Sequence, residues 1–290
     1  MASRAAAHTR HSASLAALLF LLLPLLTVAP AMACGPDTDC IVPDGTYRIR
    51  MPESWNGQSQ VGAIVFLHGW KGTAAGEMRN GHLAKVVSDM GLALIAPQGA
   101  EKSWSFPGSP RQRRDDIAFM NSVLDDAIAE HSIAPERIMA SGFSVGGSMV
   151  WYLACYMGER FAGFAPVAGA FWEPQPVSCP GPEPYLFHVH GTADKTVPMQ
   201  GRAIGTMARQ GDVGVGFEMW FDKGSCGAEV PEESAKGTLV CERRVNCAGK
   251  VIELCLHPGG HKFDAAWLKR AWTELAELKG WNVAKYIQPN

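Results

Sequence analysis

A serine set among glycines, Gly142-Phe143-Ser144-Val145-Gly146-Gly147, separates a strand-like run over 137–141 from a helix-like run over 148–155. That succession constrains the fold more than any other feature of the chain. A strand must turn within a few residues into a helix that packs back on the sheet, and only small residues fit such a corner. The serine is left at the exposed edge, with backbone N–H groups and a helix N-terminus beneath any negative charge that forms there. Ser144 is therefore a candidate nucleophile.

Short apolar runs alternate with helical spacing along the rest of the chain. Residues 63–67, 92–96, 137–140, 164–167, 185–189, 217–221 and 251–256 read as strands, and 46–51 alternates like an early edge strand. Pro166 interrupts one of these runs and removes a ladder donor from it. From Asp116 onward, Ile117, Met120, Val123, Leu124, Ala127 and Ile128 recur at helical spacing, with Asp115 placed to cap the start. A closing helix over 265–278 carries Trp267, Leu268, Ala271, Trp272, Leu275 and Leu278 as an apolar stripe, which reads as core packing. Strands alternating with helices predict an α/β fold, a mostly parallel central sheet with helices on both faces. No repeat, linker or low-complexity tail intervenes, so 34–290 reads as a single domain.

Arg4 and Arg10 precede an almost continuous apolar run over 15–28, and Ala31-Met32-Ala33 follows it. Residues 1–33 thus read as a secretory signal peptide with cleavage before Cys34. The run is short for a membrane span, so a secreted or periplasmic protein is expected, with lipoprotein anchoring at Cys34 as the alternative. From Cys34 onward the chain holds 24 basic residues against 28 acidic ones. Such mild acidity argues against a nucleic-acid partner, which needs a concentrated basic surface. The basic knot of Arg111, Arg113 and Arg114 runs straight into Asp115 and Asp116 and reads as a solvated helix start.

All eight cysteines lie beyond the expected cleavage site, and export favours disulfides. Cys34 with Cys40 makes the most physical sense as a pair, because it pins a fraying terminus. Cys226, Cys241 and Cys247 fall in a polar insertion over 222–250 that crosslinks would hold. A zinc site from Cys255, His257 and His261 lacks the paired C-x-x-C motif of structural zinc. No metal or cofactor is expected, and oligomeric state leaves no mark in the sequence.

A serine hydroxyl needs a histidine to take its proton and an acid to hold that histidine in the useful tautomer. After an elbow of this kind the partners follow in the order acid, histidine, each in a loop beyond a strand. Asp194 follows the 185–189 run, and His261 follows the 251–256 run. Asp222 is the fallback acid, and His257 the competing base. Two N–H donors must meet the developing oxyanion. Val145 supplies one through its backbone, and Trp70, in the loop after 63–67, is the choice for the second. The indoles of Trp70, Trp104 and Trp172 are candidate substrate-binding groups, with core packing as the competing reading.

These motifs resemble the secreted esterases grouped with extracellular polyhydroxybutyrate depolymerases and feruloyl esterases, a branch of the α/β-hydrolase superfamily. The resemblance covers about 44–281. It is carried by Leu67-His68-Gly69, Ala96-Pro97-Gln98-Gly99, Asp115-Asp116-Ile117-Ala118-Phe119, residues 133–147, Pro166-Val167-Ala168-Gly169, His190-Gly191-Thr192-Ala193-Asp194 with Val197-Pro198, and Gly259-Gly260-His261. It implies Ser144, Asp194 and His261 as the triad, favouring His261 over His257, and the Gly69-Trp70 loop as the second oxyanion donor. Val145 stands where the family often has Asn, and Phe263 where it often has Trp. No appended substrate-binding domain or Thr/Ser-rich linker is read after Trp281, so ester hydrolysis is expected more firmly than action on insoluble polymer. The implied activity is hydrolysis of an ester substrate, small or polymeric. Amide or polyamide hydrolysis, and ligand binding on an inactive hydrolase scaffold, are the alternatives.

Overall fold

The computed structural model describes residues 1–2, 34–222, 232–236, 238–245 and 249–281. The chain divides into Met1–Ala33 and Cys34–Asn290, and the second unit is described here. The expected leader, apart from Met1 and Ala2, lies outside the described residues, as do Cys226 and Cys247.

The apolar runs fold as β1 (Cys40–Val42), β2 (Gly45–Arg50), β3 (Val61–Leu67), β4 (Ala93–Pro97), β5 (Ile133–Phe143), β6 (Gly163–Val167) and β7 (Leu186–Gly191). A small hairpin, β8 (Arg202–Ile204) and β9 (Ala208–Gln210), is followed by β10 (Glu232–Lys236), β11 (Leu239–Val245) and β12 (Val251–His257). Ten of these form one sheet in the order β1-β2-β4-β3-β5-β6-β7-β12-β11-β10. From β4 through β12 neighbouring strands are parallel, and every residue of β3, β4, β6 and β7 is buried. Burial on both faces is why these segments are continuously apolar in sequence. Antiparallel pairs complete both edges.

Helices α1 (Ala74–Arg79), α2 (Gly81–Asp89), α3 (Asp116–Glu130), α4 (Val145–Tyr156), α5 (Val213–Asp222) and α6 (Ala265–Leu278) cover the sheet. Buried side chains of α3, α4 and α5 join one apolar layer, and those of α1, α2 and α6 join the other. This is the α/β-hydrolase arrangement. Asp115 caps α3 as expected, its carboxylate accepting the Ile117 and Ala118 N–H groups. The α6 stripe is buried from Trp267 to Leu275, whereas Leu278 is exposed at its end.

Two expectations need correction. Residues 217–221 are the last turns of α5, not a strand. Val213, Phe217 and Trp220 recur at helical spacing and are buried together, a period that a five-residue window is too short to reveal. The basic knot is solvated only in part: Arg111 is exposed, but Arg114 pairs with the buried Asp116, and Arg113 pairs with Glu101. The insertion is held by a crosslink as expected, Cys241 on β11 bonding Cys255 on β12. That disulfide also takes Cys255 out of the disfavoured zinc set. The 164–167 run forms a central strand as expected, with Pro166 inside it, and the β6–β7 ladder pairs Phe164 with Leu186 and Val167 with Val189 on either side of that proline. The Cys34–Cys40 disulfide forms as expected, and Cys155–Cys179 joins α4 to the segment after β6. Among the described residues no helix is long and apolar enough to cross a membrane.

Candidate active site

β5 delivers its chain to the sheet edge, and Ser144 turns it into α4 with φ 59° and ψ −122°. A non-glycine residue at positive φ is strained, and such strain persists where the surroundings enforce it. The Ser144 N–H is tied to Val167 O at 3.0 Å, and Ser144 O accepts the Ser148 N–H at 2.9 Å. The corner is tight enough that a Cβ on Gly146 would lie 2.1 Å from Leu67 O. The Gly-x-Ser-x-Gly spacing thus reflects β3 and α4 meeting backbone to backbone. Val145 begins α4, where the first N–H groups have no intrahelical acceptor and the helix dipole is positive.

The loop after β3 lies against the serine: a Cβ on Gly69 would sit 3.6 Å from the Ser144 Cβ. His68 fixes this loop. Its Nδ1 donates to Gly69 O at 2.8 Å, and its Nε2 accepts the Gly99 N–H at 3.0 Å. Burial lowers its pKa, and the nearby Arg114 charge pushes the same way. The ring is thereby held neutral in one tautomer. Trp104 Nε1 donates to His68 O at 2.9 Å, and Lys71 N donates to Lys102 O at 2.9 Å.

The loops after β7 and β12 bring an acid and a base together. His261 Nδ1 donates to Asp194 Oδ2 at 2.6 Å. The other carboxylate oxygen, Oδ1, accepts the Thr196 and Val197 N–H groups at 2.8 and 2.9 Å, so the carboxylate is fully bonded inside the protein. The two loops are joined by Thr192 N to His257 O at 2.9 Å and Ala193 N to Gly259 O at 3.1 Å. The Phe143 ring packs on His261 with centroids 4.6 Å apart, which stands the imidazole beside the elbow. His257 is occupied otherwise. Its Nδ1 accepts the Gly259 N–H at 2.9 Å, and its ring stacks on Trp267 at 4.8 Å. Asp222 ends α5, and its side chain lies outside the described residues.

A cleft of about 490 Å³ opens over Ser144 and Val145. All three singled-out tryptophans line it, but differently. Trp70 is exposed, with Lys71 Nζ 4.3 Å over its ring. Trp104 and Trp172 are nearly buried, so the core and cleft-lining readings both hold for them. Trp172 Nε1 donates to Ser148 Oγ at 3.3 Å, one helical turn beyond Ser144.

No protein-family model matches the chain. Feruloyl esterase B of Piromyces equi is 25% identical over 232 residues, covering 73% of this chain and 42% of that protein. A putative esterase of Nocardia uniformis subsp. tsuyamanensis is 28% identical over 220 residues, 68% of this chain and 64% of that one. The chain thus matches less than two thirds of either relative. Among solved structures, an acetyl xylan esterase from Aspergillus awamori superposes with a TM-score of 0.57 at 14% identity, covering 83% of this chain and 96% of that chain. A fluorophosphonate-binding serine hydrolase of Staphylococcus aureus gives 0.52 at 15% identity, over 80% and 92%. The chain has the α/β-hydrolase fold. It is distantly related to feruloyl esterases in sequence.

Several residues around this site carry weight that the sequence did not assign them. His190 Nε2 donates to Val197 O at 2.7 Å and lies 3.7 Å from Asp194 Oδ2. Its Nδ1 accepts from His188 Nε2 at 2.8 Å. Burial lowers the pKa of both rings, His188 strongly. They brace the acid's loop as a neutral pair. Asp116, within a quoted motif, accepts the Ser105 N–H at 2.6 Å, while Arg114 donates to Gln98 O at 3.1 Å and Asp44 O at 2.9 Å. This ion pair ties together the backbone that forms one wall of the cleft.

Proposed function

We propose that the chain is an exported serine esterase, with Ser144 as nucleophile, His261 as general base and Asp194 as its orienting acid. The observation that carries this reading is the strained serine at the sheet edge beside a histidine already bonded to a buried carboxylate at 2.6 Å. His261 takes the Ser144 proton as the hydroxyl adds to the ester carbonyl. The Val145 and Trp70 amides receive the oxyanion. His261 then protonates the departing alcohol, and water releases the acyl group by the same route. Asp194 remains ionised throughout. The mechanism calls on no cofactor.

The substrate side of the reading is an ester with an apolar or aromatic portion, of the feruloyl or hydroxyalkanoate type. Its support is the tryptophan-lined cleft and the sequence relationship to proteins named as feruloyl esterases. Export rests on the leader pattern and on disulfides at Cys34–Cys40, Cys155–Cys179 and Cys241–Cys255. The test is Ser144→Ala assayed on a short-chain ester together with labelling by a fluorophosphonate probe. Folded variant protein should lose both turnover and labelling, and undiminished turnover would sink the proposal.

A further inference from the structure

The cleft over Ser144 is cationic in a chain whose net charge is −2. Its charged lining consists of Arg111, Arg113, Arg202 and one acid, Glu101. Arg113 Nη2 holds Glu101 Oε2 at 2.5 Å, so that acid and that cation satisfy each other. Arg111 and Arg202 have no such carboxylate among the described residues. Arg202 is anchored, its Nε donating to Thr196 O at 2.8 Å, and its terminal nitrogens make no hydrogen bond to a described residue. The Arg111 guanidinium makes no hydrogen bond or ion pair to a described residue, although its charge, after that of Arg113, helps lower the pKa of Glu101.

The two arginines reach the cleft from different parts of the fold. Arg111 lies in the loop before α3, and Arg202 opens β8 beside the loop that carries Asp194. Between them are the nucleophile and indole walls of low polarity. Such walls focus the field of like charges and raise the local concentration of an anion. A guanidinium with free parallel N–H groups matches the two oxygens of a carboxylate.

We propose that the ester accepted here carries a carboxylate of its own, bound by Arg111 and Arg202 while the ester carbonyl lies at Ser144. This rests on the serine-esterase reading and narrows it. The carboxylate can belong to the acyl part, as in a half-ester of a dicarboxylic acid, or to the alcohol, as in an acylated hydroxy acid. A neutral ester of the same shape leaves both cations hydrated and loses that binding without losing the chemistry, so discrimination falls mainly on KM.

Two matched pairs of substrates test this. 4-Nitrophenyl hemiglutarate against 4-nitrophenyl pentanoate places the charge on the acyl side. 4-Acetoxybenzoate against its methyl ester places it on the alcohol side. kcat/KM is measured for the wild type, Arg111→Gln, Arg202→Gln and the double variant. Taking the charged-to-neutral ratio within each protein cancels intrinsic reactivity and any effect transmitted from Arg202 through Thr196 to Asp194. In at least one pair the double variant should lower that ratio about tenfold, chiefly through KM. Raising salt from about 0.05 to about 0.5 M should erode the wild-type ratio and leave the double variant's nearly flat. Ratios unchanged by both substitutions, with the neutral esters still hydrolysed through Ser144, would overturn the proposal alone. Neutral-ester hydrolysis that survives Ser144→Ala would instead remove the nucleophile assignment on which it stands.

Discussion

His68 Nε2 accepts the backbone N–H of Gly99 at 3.0 Å, and the same ring donates from Nδ1 to Gly69 O at 2.8 Å. One buried imidazole thus sets the spacing between the proposed oxyanion loop and the β4 exit. His68→Ala should let the loop drift and lower kcat on a short-chain ester about 100-fold, with KM much less affected, since a shift of about 1 Å costs that much. His68→Asn, which restores a donor near the Nδ1 position, should recover part of the loss. Wild-type kcat in the alanine variant would exclude this role.

Asp194 uses both oxygens as acceptors, from His261 Nδ1 on one and from Thr196 and Val197 N–H on the other. Asparagine at this position must present an NH₂ group to one set of donors. Either it opposes the backbone N–H groups or it drives His261 into the wrong tautomer. Asp194→Asn should therefore lower kcat by about 10⁴ while the protein remains folded. Circular dichroism and steady-state kinetics on one preparation distinguish this from simple unfolding.

The parallel strands and α6 were legible because burial on both sheet faces, or on one helix face, leaves a periodic mark in the residues themselves. The 217–221 segment was not legible as a helix because its period emerges only when Val213 is included. Charges were read least well. Arg114 has Asp116 two positions away, but its other partners are the carbonyls of Gln98 and Asp44, which no local pattern announces. The same holds for His68, whose partner is a backbone amide 31 positions on. Ser144, Asp194 and His261 were singled out by chain order and flanking strands. Local sequence favoured His261, which stands beyond the Gly259-Gly260 pair at a helix entrance, over His257, which directly precedes Pro258. The Gly259 bond and the Trp267 stack engage His257, whereas the Asp194 bond engages His261.

Glycine substitutions should divide sharply by what a methyl group meets. At Gly146 it would be placed 2.1 Å from Leu67 O and 2.6 Å from His68 O, both rigid backbone atoms. Gly146→Ala should destabilise the protein by about 3 kcal/mol or more and disturb the elbow. Gly81 opens α2 with nothing within 4 Å of the same position. Gly81→Ala should stabilise by about 0.4–1 kcal/mol through loss of unfolded-state freedom. Denaturant melts of the two variants check both signs.

Stability should fall as the medium is acidified, because burial lowers the pKa values of His68, His188 and His190 below the ordinary histidine value of 6.5. Between the folded and unfolded pKa values the unfolded chain binds more protons, so unfolding free energy rises with pH across that window. The stabilisation is complete above about pH 6.5 and is lost progressively below it. His188 should contribute most: it is fully buried, bonded from Nε2 to His190, and its Nδ1 has no hydrogen-bond partner among the described residues. Charging that ring would place a second donor in an apolar setting between Trp151 and Phe217. Melting temperatures measured from pH 8 to pH 5 should therefore drop mainly below about pH 6.5. His188→Gln keeps an amide donor for His190 and removes the titration, so its decline should be shallower. Parallel declines for variant and wild type would show that acid sensitivity originates elsewhere.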